Sequence, residues 1–189
     1  MLEEIGIPYR HVPIRPYTES RAAEYLRINP NGHIPSLVDE GVVLWESLAI
    51  NLYLGEKYAR SPLWPASVED RGRAYQWSFW AANEVEPSVV SIARGLSKKA
   101  PDPGGVSSGQ RHLHAAFQVL ERILVDRRFL LGAEFTVADL NLASTIREPG
   151  ERGVSGIDEI TLDPFPRIAA WLDECCMRPA NRRVVALPP

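Results

Sequence analysis

Glu46 and Ser47 stand directly before a strongly apolar stretch, residues 48–59, and are the pair of side chains best placed to hold a charged ligand. The stretch reads as a helix that Ser47 opens. The first-turn N–H groups of a helix lack intrahelical partners and carry the positive end of its dipole, so they attract a carboxylate. An acid just before them, Glu46, can hold an ammonium group beside that carboxylate. Upstream, Ile34-Pro35 follows Asn29-Pro30-Asn31-Gly32, whose residues favour turns through the fixed φ of proline, the positive φ open to glycine and the self-bonding asparagine side chain. An extended segment ending at proline has free backbone groups. In the cis form, which disfavours an X-Pro bond by only about 0.5–1 kcal/mol, Ile34 can present its N–H and C=O to a peptide-like ligand in β fashion. Together these residues predict a site for a small zwitterion.

The elements that must position them are short. Residues 36–38 and 42–44 are apolar runs joined through Asp39-Glu40-Gly41, a tight hairpin signal. The hairpin returns the chain to the helix opened by Ser47, whose first turn points back toward Pro35.

Two stretches, Asn29-Pro30-Asn31-Gly32-His33-Ile34-Pro35-Ser36-Leu37 and Leu44-Trp45-Glu46-Ser47-Leu48-Ala49-Ile50, stand at the separation found in the glutathione-binding half of the cytosolic glutathione transferases, a family this sequence resembles. The resemblance implies a thioredoxin-like α/β half followed by an all-α helical bundle. It implies that Ile34, ahead of Pro35, pairs its backbone with the cysteinyl part of glutathione. Glu46 and Ser47 would hold the γ-glutamyl end, and His33 would sit near the glycyl carboxylate. It further implies glutathione as a substrate without a metal, an apolar electrophile as its partner, a detoxification role and a homodimer with each site near the cleft between halves.

Members of the family carry a strand and most of a helix ahead of the point this sequence resembles at Met1, and with them the Tyr, Ser or Cys that acts on the glutathione sulfur. Residues 2–8 read as the last turn of a helix ended near Gly6, and residues 9–14 as an extended segment. In the family the missing strand lies mid-sheet, between this segment and the hairpin. Tyr9, His11, Tyr17 and Thr18 read as surface or packing residues, so the catalytic residue is left unknown. A thiol with an ordinary pKa of about 8.5 is mostly protonated at neutral pH, so chemistry requires a group that stabilises the thiolate. Two functions follow as expectations. One is transfer of glutathione sulfur to an electrophilic small molecule, given such a group. The other is a glutathione-binding or protein-interaction scaffold of the same fold, without turnover.

Farther along, residues 19–28 predict a short amphipathic helix with Ala22, Ala23 and Leu26 on one face. We expect a glutathione-binding unit over 1–60, an exposed Pro-bearing linker over 61–66 and an all-helical unit over 67–189. Residues 68–99 predict a long helix bent near Pro87, residues 101–105 a break, and residues 107–125 a second helix. Trp77, Phe79 and Trp80 are read either as bundle core or as the lining of a co-substrate pocket facing Pro35. Thr136 and Asp139 form a Thr-x-x-Asp variant of the capping box, with Phe135 and Leu140 as its hydrophobic staple, and that structural task accounts for both side chains. This motif also looks like the capping motif of the family's helical half. A loop over 149–164 leads to a last helix over 167–177.

The remaining candidates carry less chemistry. Cys175 and Cys176 are adjacent, which is neither a metal nor a redox spacing. His112 and His114 are two apart on a predicted helix and face different sides. Among 189 residues a net charge of −3, with scattered arginines, gives no footprint for nucleic acid or an anionic membrane. No apolar run approaches the length of a membrane span, and the N-terminus lacks a signal pattern, so a cytoplasmic protein is expected.

Overall fold

The computed structural model describes residues 1–97, 99–147 and 160–185. Residues 149–159 of the predicted loop over 149–164 lie outside the described residues. The chain opens with α1 (Leu2–Ile5), closed by Gly6 in the left-handed conformation. After α2 (Ala23–Leu26) comes one antiparallel sheet of β1 (Ser36–Asp39) and β2 (Val42–Trp45), and then α3 (Ser47–Tyr58). The rest is helical: α4 (Val68–Trp80), α5 (Glu86–Gly95), α6 (Pro103–Ile123), α7 (Val137–Ile146), α8 (Pro166–Cys176) and α9 (Pro179–Val185). The expected order, a small α/β part followed by a helical part, is the order observed.

The hairpin register pairs Ser36 with Trp45, Leu37 with Leu44, Val38 with Val43 and Asp39 with Val42. Its two-residue turn, Glu40-Gly41, has φ of 48° and 87°, the positive values that match the twist of the strands it joins. Asp39 fixes the hairpin to α3: its carboxylate accepts from Lys57 Nζ at 2.8 Å, Tyr53 OH at 2.8 Å and Tyr58 OH at 2.8 Å. These partners, Lys57 foremost, hold the Asp39 carboxyl below its ordinary range. A depressed folded pKa contributes stability that is full above the unfolded value, about 3.9, and is lost as pH falls through the folded one. We therefore expect the gap in unfolding midpoint between wild type and Asp39→Asn to be widest near neutrality and to close below about pH 3.9. A gap that stays constant on acidification would contradict this clamp.

Several expectations are corrected. The extended segment over 9–14 pairs with no strand among the described residues. The helix expected over 19–28 is two pieces, a 3-10 turn at Glu19–Arg21 and α2, separated by extended Ala22. Its buried side chains are Ser20 and Tyr25, whereas Leu26 is exposed; Tyr25 is turned toward the hairpin, where its hydroxyl meets Ser36 Oγ. The helix expected over 68–99 runs from Val68 through a π turn at Ala81–Val85 and ends at Gly95. Pro87 has no N–H to donate within a continuous helix, and the wider turn places it in the first turn of α5, where none is needed. The break expected at 101–105 instead starts a helix: Asp102 caps it by accepting from Gly105 N at 3.0 Å, and Pro103 takes the first helical position.

The linker over 61–66 is not uniformly exposed. Trp64 and Pro65 are buried, and Trp64 lies so close to Gly55 of α3 that a Cβ there would fall 2.5 Å from its Cε3. The Trp64 and Tyr75 ring centroids are 6.2 Å apart, and Leu63 O accepts from Val137 N at 2.9 Å. The apolar core lies among α4 to α8, with Val85, Ile92, Phe117, Leu120, Leu142 and Leu172 all but fully buried. Leu48 and Leu52 of α3 pack against it.

Candidate functional site

The turn before β1 is built so that Ile34 is left free. Gly32 N donates to Asn29 O at 2.9 Å, and Asn31 N donates to Asn29 Oδ1 at 3.0 Å. The His33 carbonyl is held twice, by Tyr25 OH at 2.7 Å and by Asn29 Nδ2 at 2.7 Å. Tyr25 OH also meets Ser36 Oγ at 2.9 Å, and Arg21 Nη1 donates to Asn31 O at 2.8 Å. Tyr25 and Asn29 are buried, so this frame is rigid and shielded from competing water. Ile34, 47% exposed, follows it, joined to Pro35 by a cis peptide bond. Among the described residues neither its N–H nor its C=O makes a hydrogen bond.

On the other strand, Glu46 takes φ 74° and ψ 111° and occupies the N-cap position of α3 without a capping side-chain bond. A glutamate with positive φ is uncommon, and such residues concentrate at ligand sites. Ser47 is the first helical residue, not the cap. The first backbone bond of the helix runs from Ile50 N to Glu46 O, at 2.9 Å, which leaves the N–H groups of residues 47–49 facing outward. The last hairpin pair is Ser36 with Trp45, so Ile34-Pro35 enters β1 and Glu46-Ser47 leaves β2 at the same end of the hairpin. The free backbone of Ile34 and the open start of α3 therefore lie at that end.

His33, Ile34, Pro35, Glu46 and Ser47 are all exposed. A cleft of about 430 Å³ elsewhere, lined by Glu4, Leu63, Phe129, Phe135 and Arg178 among others, shares no residue with them. Glu86, at the start of α5, also reaches this electrostatic neighbourhood. Partial shielding from water raises its carboxyl above the ordinary range, and the nearby Glu46 carboxylate adds to the effect. A ligand ammonium in this neighbourhood would relieve that repulsion.

The three aromatic candidates separate. Trp77 is only 8% exposed and belongs to the core, so it is not a pocket wall. Trp80 leans on that core with its ring 5.2 Å from Trp77, edge to face. Phe79 is 66% exposed. Helical spacing explains the split, since residues 77 and 80 are neighbours on one face and residue 79 points away from both.

Thr136 and Asp139 form a reciprocal capping box at the start of α7. Asp139 has no exposed surface. Its carboxylate accepts from Leu130 N at 2.8 Å and Trp171 Nε1 at 3.0 Å on one oxygen, and from Thr136 N at 2.9 Å and Thr136 Oγ1 at 3.0 Å on the other. Burial raises the Asp139 carboxyl, and these donors pull in the opposite direction. Of the cysteines, Cys175 is buried and its thiol is pushed far up by desolvation, which leaves it an unreactive core side chain. Among the described residues there is no metal-competent cluster of His, Cys, Asp or Glu, and no helix is long and apolar enough to cross a membrane.

Sequence reasoning missed Tyr25, Asn51, Ser78, Glu86 and Asn141. Tyr25 had a signal, a hydroxyl-bearing aromatic one turn before Asn29. The others act across distances in sequence that no local pattern spans, such as the Asn51 bond to Asn141 at 2.8 Å.

A model of the glutathione S-transferase N-terminal domain matches residues 1–57, and a model of the C-terminal domain matches residues 79–174. Glutathione S-transferase GstB of Escherichia coli (strain K12) is 31% identical over 193 aligned residues, covering 99% of this chain and 90% of that protein. Glutathione S-transferase 3 of Zea mays is 31% identical, over 100% of this chain and 88% of its own length. Among solved structures, a glutathione transferase of Phanerochaete chrysosporium in complex with oxidized glutathione is similar with a TM-score of 0.83 at 27% identity, covering 98% of this chain and 86% of that one. One from Burkholderia graminis, with two glutathione molecules bound per subunit, is similar with a TM-score of 0.85 at 25% identity, covering 99% and 81%.

Proposed function

The chain belongs to the glutathione S-transferase family, and from that premise we propose that it binds glutathione across Ile34, Glu46 and Ser47 and delivers the sulfur to an apolar electrophile. The observation that carries this reading is the convergence of the unpaired Ile34 backbone with the open start of α3 at one end of the hairpin. The extended cysteinyl unit takes both backbone bonds of Ile34, as an added strand would. The γ-glutamyl carboxylate lies on the N–H groups and hydroxyl at Ser47, and its ammonium on Glu46. His33 stands on the same turn, toward the glycyl end.

In this reading Ser47 faces the helical half, so the sulfur, one residue unit away at Ile34, is held on that side, where an electrophile can rest against the exposed ring of Phe79. Holding both reactants there converts a bimolecular encounter into a local one. Once a hydrogen-bond donor keeps the sulfur as thiolate, it forms the bond to the electrophilic carbon while that carbon's leaving group departs with the bonding pair. The same resemblance points to a cytoplasmic homodimer with a detoxifying role.

Calorimetric titration of glutathione into the wild type and Glu46→Ala tests the placement. Loss of a charge-assisted hydrogen bond to the ammonium is expected to weaken binding about tenfold or more. Equal affinity of the two proteins would refute the γ-glutamyl placement. Turnover of a generic electrophile by the same wild-type preparation separates transferase from binding scaffold.

A further inference from the structure

A buried hydrogen-bond chain ties α3 to the helical half. Asn51 Nδ2 donates to Asn141 Oδ1 at 2.8 Å, Asn141 Nδ2 donates to Ser78 Oγ at 2.8 Å, and Ser78 Oγ donates to Ala74 O at 2.8 Å. Asn141 has no exposed surface and Ser78 is 3% exposed. Each link uses one donor and one acceptor and ends on a helix carbonyl. An amide buried among Ala138 and Leu142 must find such partners, because water cannot reach it.

The chain enters α3 at an informative place. Asn51 lies one turn after Ser47 on the same helix face, since side chains four apart stack above one another. The far end of α3 is fixed to the hairpin by Tyr53, Lys57 and Tyr58 through Asp39. Its near end, which carries Glu46 and Ser47, packs on the core through Leu48 and Leu52. Apolar contact of this kind is non-directional. The Asn51 bond is directional and, one turn from Ser47, fixes the rotation of this end of α3 about its axis.

We propose that Asn141 is a positioning residue for the glutathione site: acting through Asn51, it sets the rotation of α3 and so the aim of Ser47 and Glu46 relative to Ile34. The proposal rests on the placement of glutathione at Glu46 and Ser47. It assigns a binding role to a residue that sits inside α7 and touches no ligand.

The test compares glutathione affinity, by calorimetry well below the unfolding temperature, for wild type, Asn51→Ala, Asn141→Ala, the double variant and Leu142→Ala. Losing one link of the chain is expected to raise Kd between about three- and tenfold, the scale of one net hydrogen bond. The double variant is expected to match either single variant, because both break the same chain. Leu142→Ala opens a cavity beside Asn141 and destabilises α7 without touching the chain, so its Kd should stay at the wild-type value. Asn51 is only half-buried, which keeps the comparison available if Asn141→Ala fails to fold. Unchanged Kd in Asn51→Ala, or an equal rise in Leu142→Ala, overturns the proposal while the glutathione reading stands. Absence of binding by wild type itself refutes that reading and the proposal with it.

Discussion

Asp139→Ala is expected to lower the unfolding free energy by about 4 kcal/mol, a large fraction of the 5–15 kcal/mol by which a folded domain is usually stable. The carboxylate gathers donors from three parts of the chain: Thr136 at the start of α7, Leu130 in the preceding turn and Trp171 of α8. Removing it orphans two backbone N–H groups and an indole N–H. Each unmade bond at a buried donor costs about 1–3 kcal/mol. Relief of the burial penalty on the carboxylate, the same penalty that raises its pKa, offsets part of the sum. Thr136→Ala is the internal comparison, since it removes one capping oxygen and should cost about 1 kcal/mol. Urea unfolding reads both. If Asp139→Ala shifts the midpoint no more than Thr136→Ala, Asp139 is a local cap and does not hold α8 in place.

Gly32→Ala is expected to destabilise the protein by about 2–4 kcal/mol and to bring glutathione binding below detection. Gly32 has φ 62°, a left-handed value that disfavours an L side chain by about 1–2 kcal/mol. Space is lacking as well, since an added Cβ would lie 2.8 Å from Ser20 O and 2.9 Å from Arg21 Cδ. The Arg21 side chain can move, but the Ser20 carbonyl belongs to buried backbone and cannot, so the turn itself must shift. That turn carries His33 and Ile34, and the tripeptide depends on their position to within a fraction of an ångström. Calorimetry on a variant shown to be folded measures the effect. Wild-type affinity in Gly32→Ala would show that Ile34 is not where glutathione docks.

The elements that carry the candidate residues were legible where their signals are local. Asn29 through Pro35 announce a turn through their own backbone preferences, Asp39-Glu40-Gly41 a hairpin, and Thr136 with Asp139 a helix start, within a few residues each. Errors arose where a local signal had two physical outcomes. Pro103-Gly104-Gly105 reads as a break, yet proline at a first helical position starts a helix when Asp102 caps it. Trp64, set among prolines, reads as exposed linker, yet Gly55 leaves a space that its ring fills.

The sequence by itself determined the order of an α/β half and a helical half, the turn ahead of Ile34 and the helix opened after Glu46, since propensity, capping and φ restriction act over one to four residues. Only the tertiary structure decided that Pro35 and Glu46 flank the same end of the hairpin, that Tyr25 and Asn29 lock the His33 carbonyl, that Trp77 is core while Phe79 is surface, and that Asn51, Asn141 and Ser78 form one chain. Those outcomes depend on hairpin register and on helix rotation within a packed core. Both are settled by contacts between residues as many as 90 positions apart, which no short window of sequence contains.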